Sequence, residues 1–209
     1  MSSPLLQIVS TGVAPPQTGA QAVLFTSANG VREFSKLLTT KAHIPCFCVG
    51  DKTSAEAREH GFTAFSAKGG ADDLIALVTA VLNPADGPIL YLHGKIVTGD
   101  ITEQLVKKGF TVNDHVIYEQ VPQTLTDEAR DLFANGSLHI LPLFSPMTAK
   151  ILAAEITAHP DWKLDHIDAI CLSENVRKQV SGLEFQSLTT VATPTADAMS
   201  SAIAVLLRQ

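Results

Sequence analysis

The chain has 209 residues, 45% of them hydrophobic, enough for one large α/β domain or two of roughly 100 residues each. Only 17% of residues are charged and the formal net charge is -6, so the global basic field used by duplex-binding proteins is missing, which argues against nucleic acid as a partner. The first charged residue is Arg32, prolines and glycines break up the first 19 residues, and no window approaches the ~18 apolar residues of a membrane span, so the chain reads as soluble and cytoplasmic with no membrane partner.

The elements follow in chain order. Pro4 to Val9 contains a short strand, followed by a loop rich in Pro, Gly, Thr and Gln. Ala22 to Phe25 is an apolar run that predicts a buried strand, and the small polar turn Thr26 to Gly30 leads into a helix with Val31, Phe34, Leu37 and Leu38 on its apolar stripe. Cys46 to Val49 predicts a second strand, and Ser54 to His60 a helix stopped by Gly61. Phe62 to Ser66 predicts a third strand, Asp72 to Leu82 a helix, Ile89 to Leu92 a fourth strand ending in the turn His93-Gly94-Lys95, and Asp100 to Lys108 a helix closed by Gly109. This alternation implies a parallel, doubly wound sheet.

The β-branched run Val112 to Pro122, with Tyr118 at its centre, reads as a connector strand facing the cleft between two lobes. Beyond it lie a helix at Asp127 to Asn135, a strand at Ile140 to Phe144, the turn Ser145 to Thr148 and a helix at Ala149 to His159. A strand at Ala169 to Leu172, a turn at Ser173 to Asn175, a helix at Val176 to Ser181, a strand at Leu188 to Ala192 and a helix opened by Pro194 complete the chain. The halves resemble each other: Leu24-Phe25-Thr26-Ser27 matches Leu143-Phe144-Ser145-Pro146 at an offset of 119, and Val49-Gly50 matches Ile170-Cys171 at 121. The pattern suggests two copies of one α/β unit, a lobe over residues 10–115 and a second over 122–209, joined by connector strands at 4–9 and 116–121.

Three cysteines, Cys46, Cys48 and Cys171, lie in apolar strand-like runs at neither zinc nor thioredoxin spacing, and the seven histidines are scattered, so no metal site is expected. G-x-G-x-x-G, P-loop and G-x-S-x-G patterns are absent. What remains is a set of strand-to-helix turns at 26–30, 50–54, 93–95, 145–148 and 173–175. Turns of this kind sit at the carboxyl ends of parallel strands, where ligands bind and where helix N-termini favour anions. Helix capping alone is the competing account of each turn, and packing alone that of Tyr118.

In the order and spacing of Phe25-Thr26-Ser27, Val49-Gly50-Asp51-Lys52-Thr53, Leu90-Tyr91-Leu92-His93-Gly94, Val116-Ile117-Tyr118 and Phe144-Ser145-Pro146, the chain resembles the uroporphyrinogen-III synthase family. The resemblance implies two α/β lobes joined by a two-stranded ladder, a cofactor-free lyase that cyclises hydroxymethylbilane with inversion of its last pyrrole ring, and a transient contact with hydroxymethylbilane synthase. It assigns Tyr118 to assisting departure of the hydroxyl. Substrate binding falls to Thr26, Ser27, Thr53, His93, Gly94, Ser145, Pro146, Met147 and Ser173. Where the family carries a Gly-x-x-Thr turn this chain has Cys171-Leu172-Ser173-Glu174, leaving Ser173 as the stand-in hydroxyl. The family's opening strand and helix have no counterpart ahead of Pro4, so the expectation is either a true start that lies upstream or a second lobe that is incomplete or rearranged. A non-catalytic two-lobed module for an anionic ligand and an inactive family member are the alternatives.

Overall fold

The computed structural model describes residues 2–38, 44–97 and 99–208. Contacts divide the chain into one unit formed by Ile8–Val121 and another formed by Met1–Gln7 with Pro122–Gln209.

The first unit is built on a six-stranded sheet of β1 (Leu6–Ser10), β2 (Ala22–Phe25), β3 (Cys46–Cys48), β4 (Ala64–Ser66), β5 (Ile89–Gly94) and β6 (Val112–Pro122), in the order β1-β6-β5-β2-β3-β4. The pairs from β4 to β6 are parallel. β1 runs antiparallel at the edge, because Thr11 N–H donates to the Ile117 carbonyl while Gln123 N–H donates to that of Leu5. Helices α1 (Ala28–Leu37), α2 (Asp51–Glu59), α3 (Ala71–Val81) and α4 (Ile101–Lys107) cover both faces.

Strand periodicity sorts the core into two layers. Ala22, Leu24, Phe47, Ile89 and Tyr91 pack with Leu74, Ile75 and Val78 of α3 and with Ile101 and Leu105 of α4. The alternate residues Val23, Phe25, Cys46, Cys48, Leu90 and Leu92 pack with Val31 and Phe34 of α1 and Ala57 of α2. Burial on both faces explains why β2, β3 and β5 read as continuous apolar runs. The expected α/β class with parallel strands is present.

The second unit carries the parallel sheet β7 (Ile140–Leu143), β8 (Asp168–Cys171) and β9 (Ser187–Thr190), with α5 (Asp127–Ala134), α6 (Pro146–Thr157), α7 (Glu174–Val180) and α8 (Ala196–Leu206). Its core groups Phe133, Leu143, Leu152, Ile167 and Val176, and Trp162 lies between the rings of Phe133 and His159, at centroid distances of 4.8 and 4.3 Å. In β7 the carbonyls of His139 and Leu143 accept from Asp168 and Leu172, so odd-numbered residues turn their backbone groups toward β8. Ile140 and Pro142 therefore face the other way, where no strand pairs with β7 among the described residues. Pro142 has no N–H to leave unpaired there, which is why a proline is tolerated inside this strand. An apolar groove of about 410 Å³ runs beside β7, lined in part by Leu5, Leu125, Phe133 and Leu152.

Three differences from the sequence expectation bear on the candidate site. His93 and Gly94 are not a turn but the last residues of β5, paired with Val116 and Tyr118. Val112 to Tyr118, read as a connector strand, is also the parallel neighbour of β5. Helix α6 begins at Pro146, not at Ala149, because Ser145 caps it and proline suits the first helical position, where no N–H partner exists.

Candidate active site

The strand order reverses between β2 and β5: the chain leaves β2 toward β3 and β4, then returns on the other side of β2 to build β5 and β6. In a doubly wound sheet this switch point opens a crevice at the carboxyl ends of the two strands, where ligands bind. Thr26 and Ser27 follow β2 directly, His93 and Gly94 end β5, and Tyr118 lies on β6 opposite Gly94. These five sequence-predicted residues are thereby brought to the same end of three adjacent strands.

Ser27 caps α1, its hydroxyl accepting from Asn29 N–H at 3.2 Å and its carbonyl from Gly30 N–H at 3.0 Å. Gly30 lets the helix start approach the sheet, since a Cβ there would lie 3.2 Å from the Phe25 ring and 3.3 Å from the Leu92 carbonyl oxygen. Thr53, in the first turn of α2 after β3, is buried at 6% exposure and packs inward.

Tyr118 is buried, at 5% exposure, in the layer shared with α1 and α2. Its ring occupies the space that a side chain at position 94 would need: a Cβ there would stand 2.6 Å from Tyr118 Cε2 and 3.0 Å from its hydroxyl oxygen. Glycine at 94 is therefore a requirement of the tyrosine's placement.

Beside this pair lies a polar cluster that the sequence did not disclose. His93, 6% exposed, has Nε2 2.5 Å from Asp114 Oδ1 and Nδ1 2.7 Å from the Gly94 carbonyl oxygen. The other Asp114 oxygen accepts from the Thr102 hydroxyl of α4. Burial opposes ionisation of Asp114, but the hydrogen bonds from His93 and Thr102 outweigh it and hold the carboxyl below the ordinary aspartate value. The Tyr91 ring lies 4.6 Å from that of His93. Burial raises the Tyr91 phenol above its usual value, and the neighbouring Thr26 hydroxyl offsets part of the rise.

In the other unit, Ser145 caps α6, accepting from Thr148 N–H at 3.1 Å, and Pro146 and Met147 open the helix. Ser173 precedes α7 without a side-chain capping bond. These four residues lie at the carboxyl ends of the neighbouring strands β7 and β8. The groove beside β7 offers mainly apolar walls and does not suit a polyanion. No group of three or more His, Cys, Asp or Glu that could hold a metal ion occurs among the described residues.

The family model for uroporphyrinogen-III synthase HemD matches residues 1–201. The chain belongs to the uroporphyrinogen-III synthase family. It is 30% identical over 149 residues to the uroporphyrinogen-III synthase of Chlorobaculum parvum, a match that covers 65% of this chain and spans only 60% of that relative's length. The crystal structure of uroporphyrinogen-III synthetase from Helicobacter pylori superposes with a TM-score of 0.68 at 18% identity, covering 97% of this chain and 91% of that one. A mutant uroporphyrinogen-III synthase from Thermus thermophilus gives a TM-score of 0.52 at 15% identity, over 98% and 88%. At these identities the structural matches speak for the shared uroporphyrinogen-III synthase fold.

Proposed function

We propose that this chain is a uroporphyrinogen-III synthase, a lyase that removes water from hydroxymethylbilane and closes the macrocycle with the last ring inverted. The observation that carries the reading is the family match over residues 1–201. The gathering of Thr26, Ser27, Gly94 and Tyr118 at the β2/β5 switch point supports it.

In the proposed reaction the terminal hydroxymethyl group leaves as water to give an azafulvene. The substituted carbon of the last pyrrole attacks, and the resulting spiro intermediate reopens and closes in the inverted sense. The unassisted bilane closes to the other isomer, so the protein's main task is to fix conformation. Tyr118 donates a hydrogen bond to the departing hydroxyl, an effect of ~1 to 3 kcal/mol on the barrier. Thr26, Ser27, Thr53, His93 and Gly94 are assigned to substrate binding in their unit, and Ser145, Pro146, Met147 and Ser173 in theirs. No cofactor or metal is needed for this chemistry. The same reading assigns the protein to the cytoplasm and allows transient delivery of the bilane by hydroxymethylbilane synthase.

Supplying freshly prepared hydroxymethylbilane and resolving the products tests the proposal. Isomer III in excess of isomer I is the expected result. Isomer I alone, formed at the rate seen without protein, would overturn it.

A further inference from the structure

We propose that His93 is a positioning residue for Tyr118: bonded to Asp114 on one side and to the Gly94 carbonyl on the other, it holds the β-bulge that turns the tyrosine onto the Gly94 face. The inference deepens the proposed reaction and rests on the role given there to Tyr118.

The register of β5 against β6 carries the argument. Tyr91 pairs with Asp114, Leu92 with His115 and His93 with Val116, but Gly94 pairs with Tyr118, so Ile117 is an extra residue on β6. Strand residues alternate between faces, and in unbroken register Tyr118 would follow Asp114 and Val116 onto the α3/α4 face. The extra residue instead brings both Ile117 and Tyr118 into the layer packed by α1 and α2. A bulge re-aims the side chains that follow it, and bonds beside it fix the irregular backbone in place.

Those bonds lie on both sides of the irregularity. Upstream, the His93 ring spans from Asp114 on β6 to the carbonyl of Gly94, the residue at which the register shifts. The ring thus bridges two oxygen partners, one on each strand of the pair. Thr102 anchors Asp114 to α4. Downstream, Lys95 N–H donates to the Tyr118 carbonyl at 2.9 Å. His93 is almost fully buried, so it acts on Tyr118 from beneath, through the backbone that carries the tyrosine.

The chain has two tyrosines, so protein labelled with 3-fluorotyrosine gives two fluorine resonances, and Tyr118→Phe identifies them. His93→Gln and Asp114→Asn are compared with the parent; Asp114 is exposed enough for its variant to fold if that of His93 does not. The Tyr118 resonance is expected to move or split in both variants. With hydroxymethylbilane, kcat for isomer III is expected to fall about tenfold with KM within about twofold. In the Tyr118→Phe background the same substitutions should cost less than about twofold more, because their effect passes through the missing hydroxyl. A Tyr118 resonance that stays in place while that of Tyr91 moves, or losses that multiply in the double variant, would overturn the inference. If the parent makes no isomer III, the functional reading fails, and the fluorine spectra alone decide whether His93 positions Tyr118.

Discussion

Substituting Gly94→Ala perturbs the candidate site at one defined point. The added methyl carbon would stand 2.6 Å from Cε2 and 2.7 Å from Cζ of Tyr118. Carbon atoms meet comfortably at about 3.5 Å or more, so the ring or the end of β5 must move by roughly 1 Å. Tyr118 is packed among buried side chains and cannot yield freely, which sets the cost of overpacking at about 1 to 3 kcal/mol. With a urea slope of about 2 kcal/mol per molar, the midpoint should fall by roughly 1 M. Displacing a reacting group by that distance can cost about a hundredfold in rate, so formation of isomer III should drop well beyond the stability loss. A double-variant cycle checks the cause. Tyr118→Ala removes the ring, and in that background Gly94→Ala should cost less than about 0.5 kcal/mol. An equal cost in both backgrounds, or none in the parent, would refute the claim that this glycine makes room for the tyrosine.

Tyr118→Phe should lower kcat for isomer III about tenfold to a hundredfold while leaving the melting transition in place, and unchanged turnover would remove the hydroxyl from the mechanism. The depressed ionisation of Asp114 contributes stability that is present above its unfolded value, near pH 4, and is lost as pH falls through the lower folded value. Urea titrations between about pH 2 and 6 should therefore show the advantage of the parent over Asp114→Asn shrinking as the solution is acidified. Burial pushes the Cys46 thiol up to about 12 and that of Cys48 up to about 11, and Cys171 is raised for the same reason. Ellman's reagent should find these thiols unreactive in the native protein at neutral pH and should titrate all three after denaturation, as thiolates are the reacting species.

The strands and helices of the 8–121 unit were legible because burial on both faces leaves continuous apolar runs and the turns carry capping residues. Cys46-Phe47-Cys48 reads as a strand for that reason, and the spacing of Val31, Phe34 and Leu37 marks the helix after β2. Two features stayed hidden in the sequence. Pairing between β5 and β6 depends on backbone register across more than twenty residues, which no local pattern records, so His93 and Gly94 read as a turn. The bond from His93 to Asp114 follows from that register, and only the fold brings the two together. The resemblance located Thr26, Ser27, Gly94 and Tyr118, yet nothing in their spacing reveals that Gly94 and Tyr118 are in contact.

Pro142 has a consequence for the protein at high concentration. Two copies approaching along β7 would each meet a partner strand short of one donor, at the position where a continuing ladder needs it. Edge-to-edge growth, the route by which open sheets polymerise, is thus discouraged by a missing hydrogen rather than by repulsion between charges. Salt, which weakens charge-based protection, leaves this safeguard intact, and a single Pro142→Val replacement would remove it.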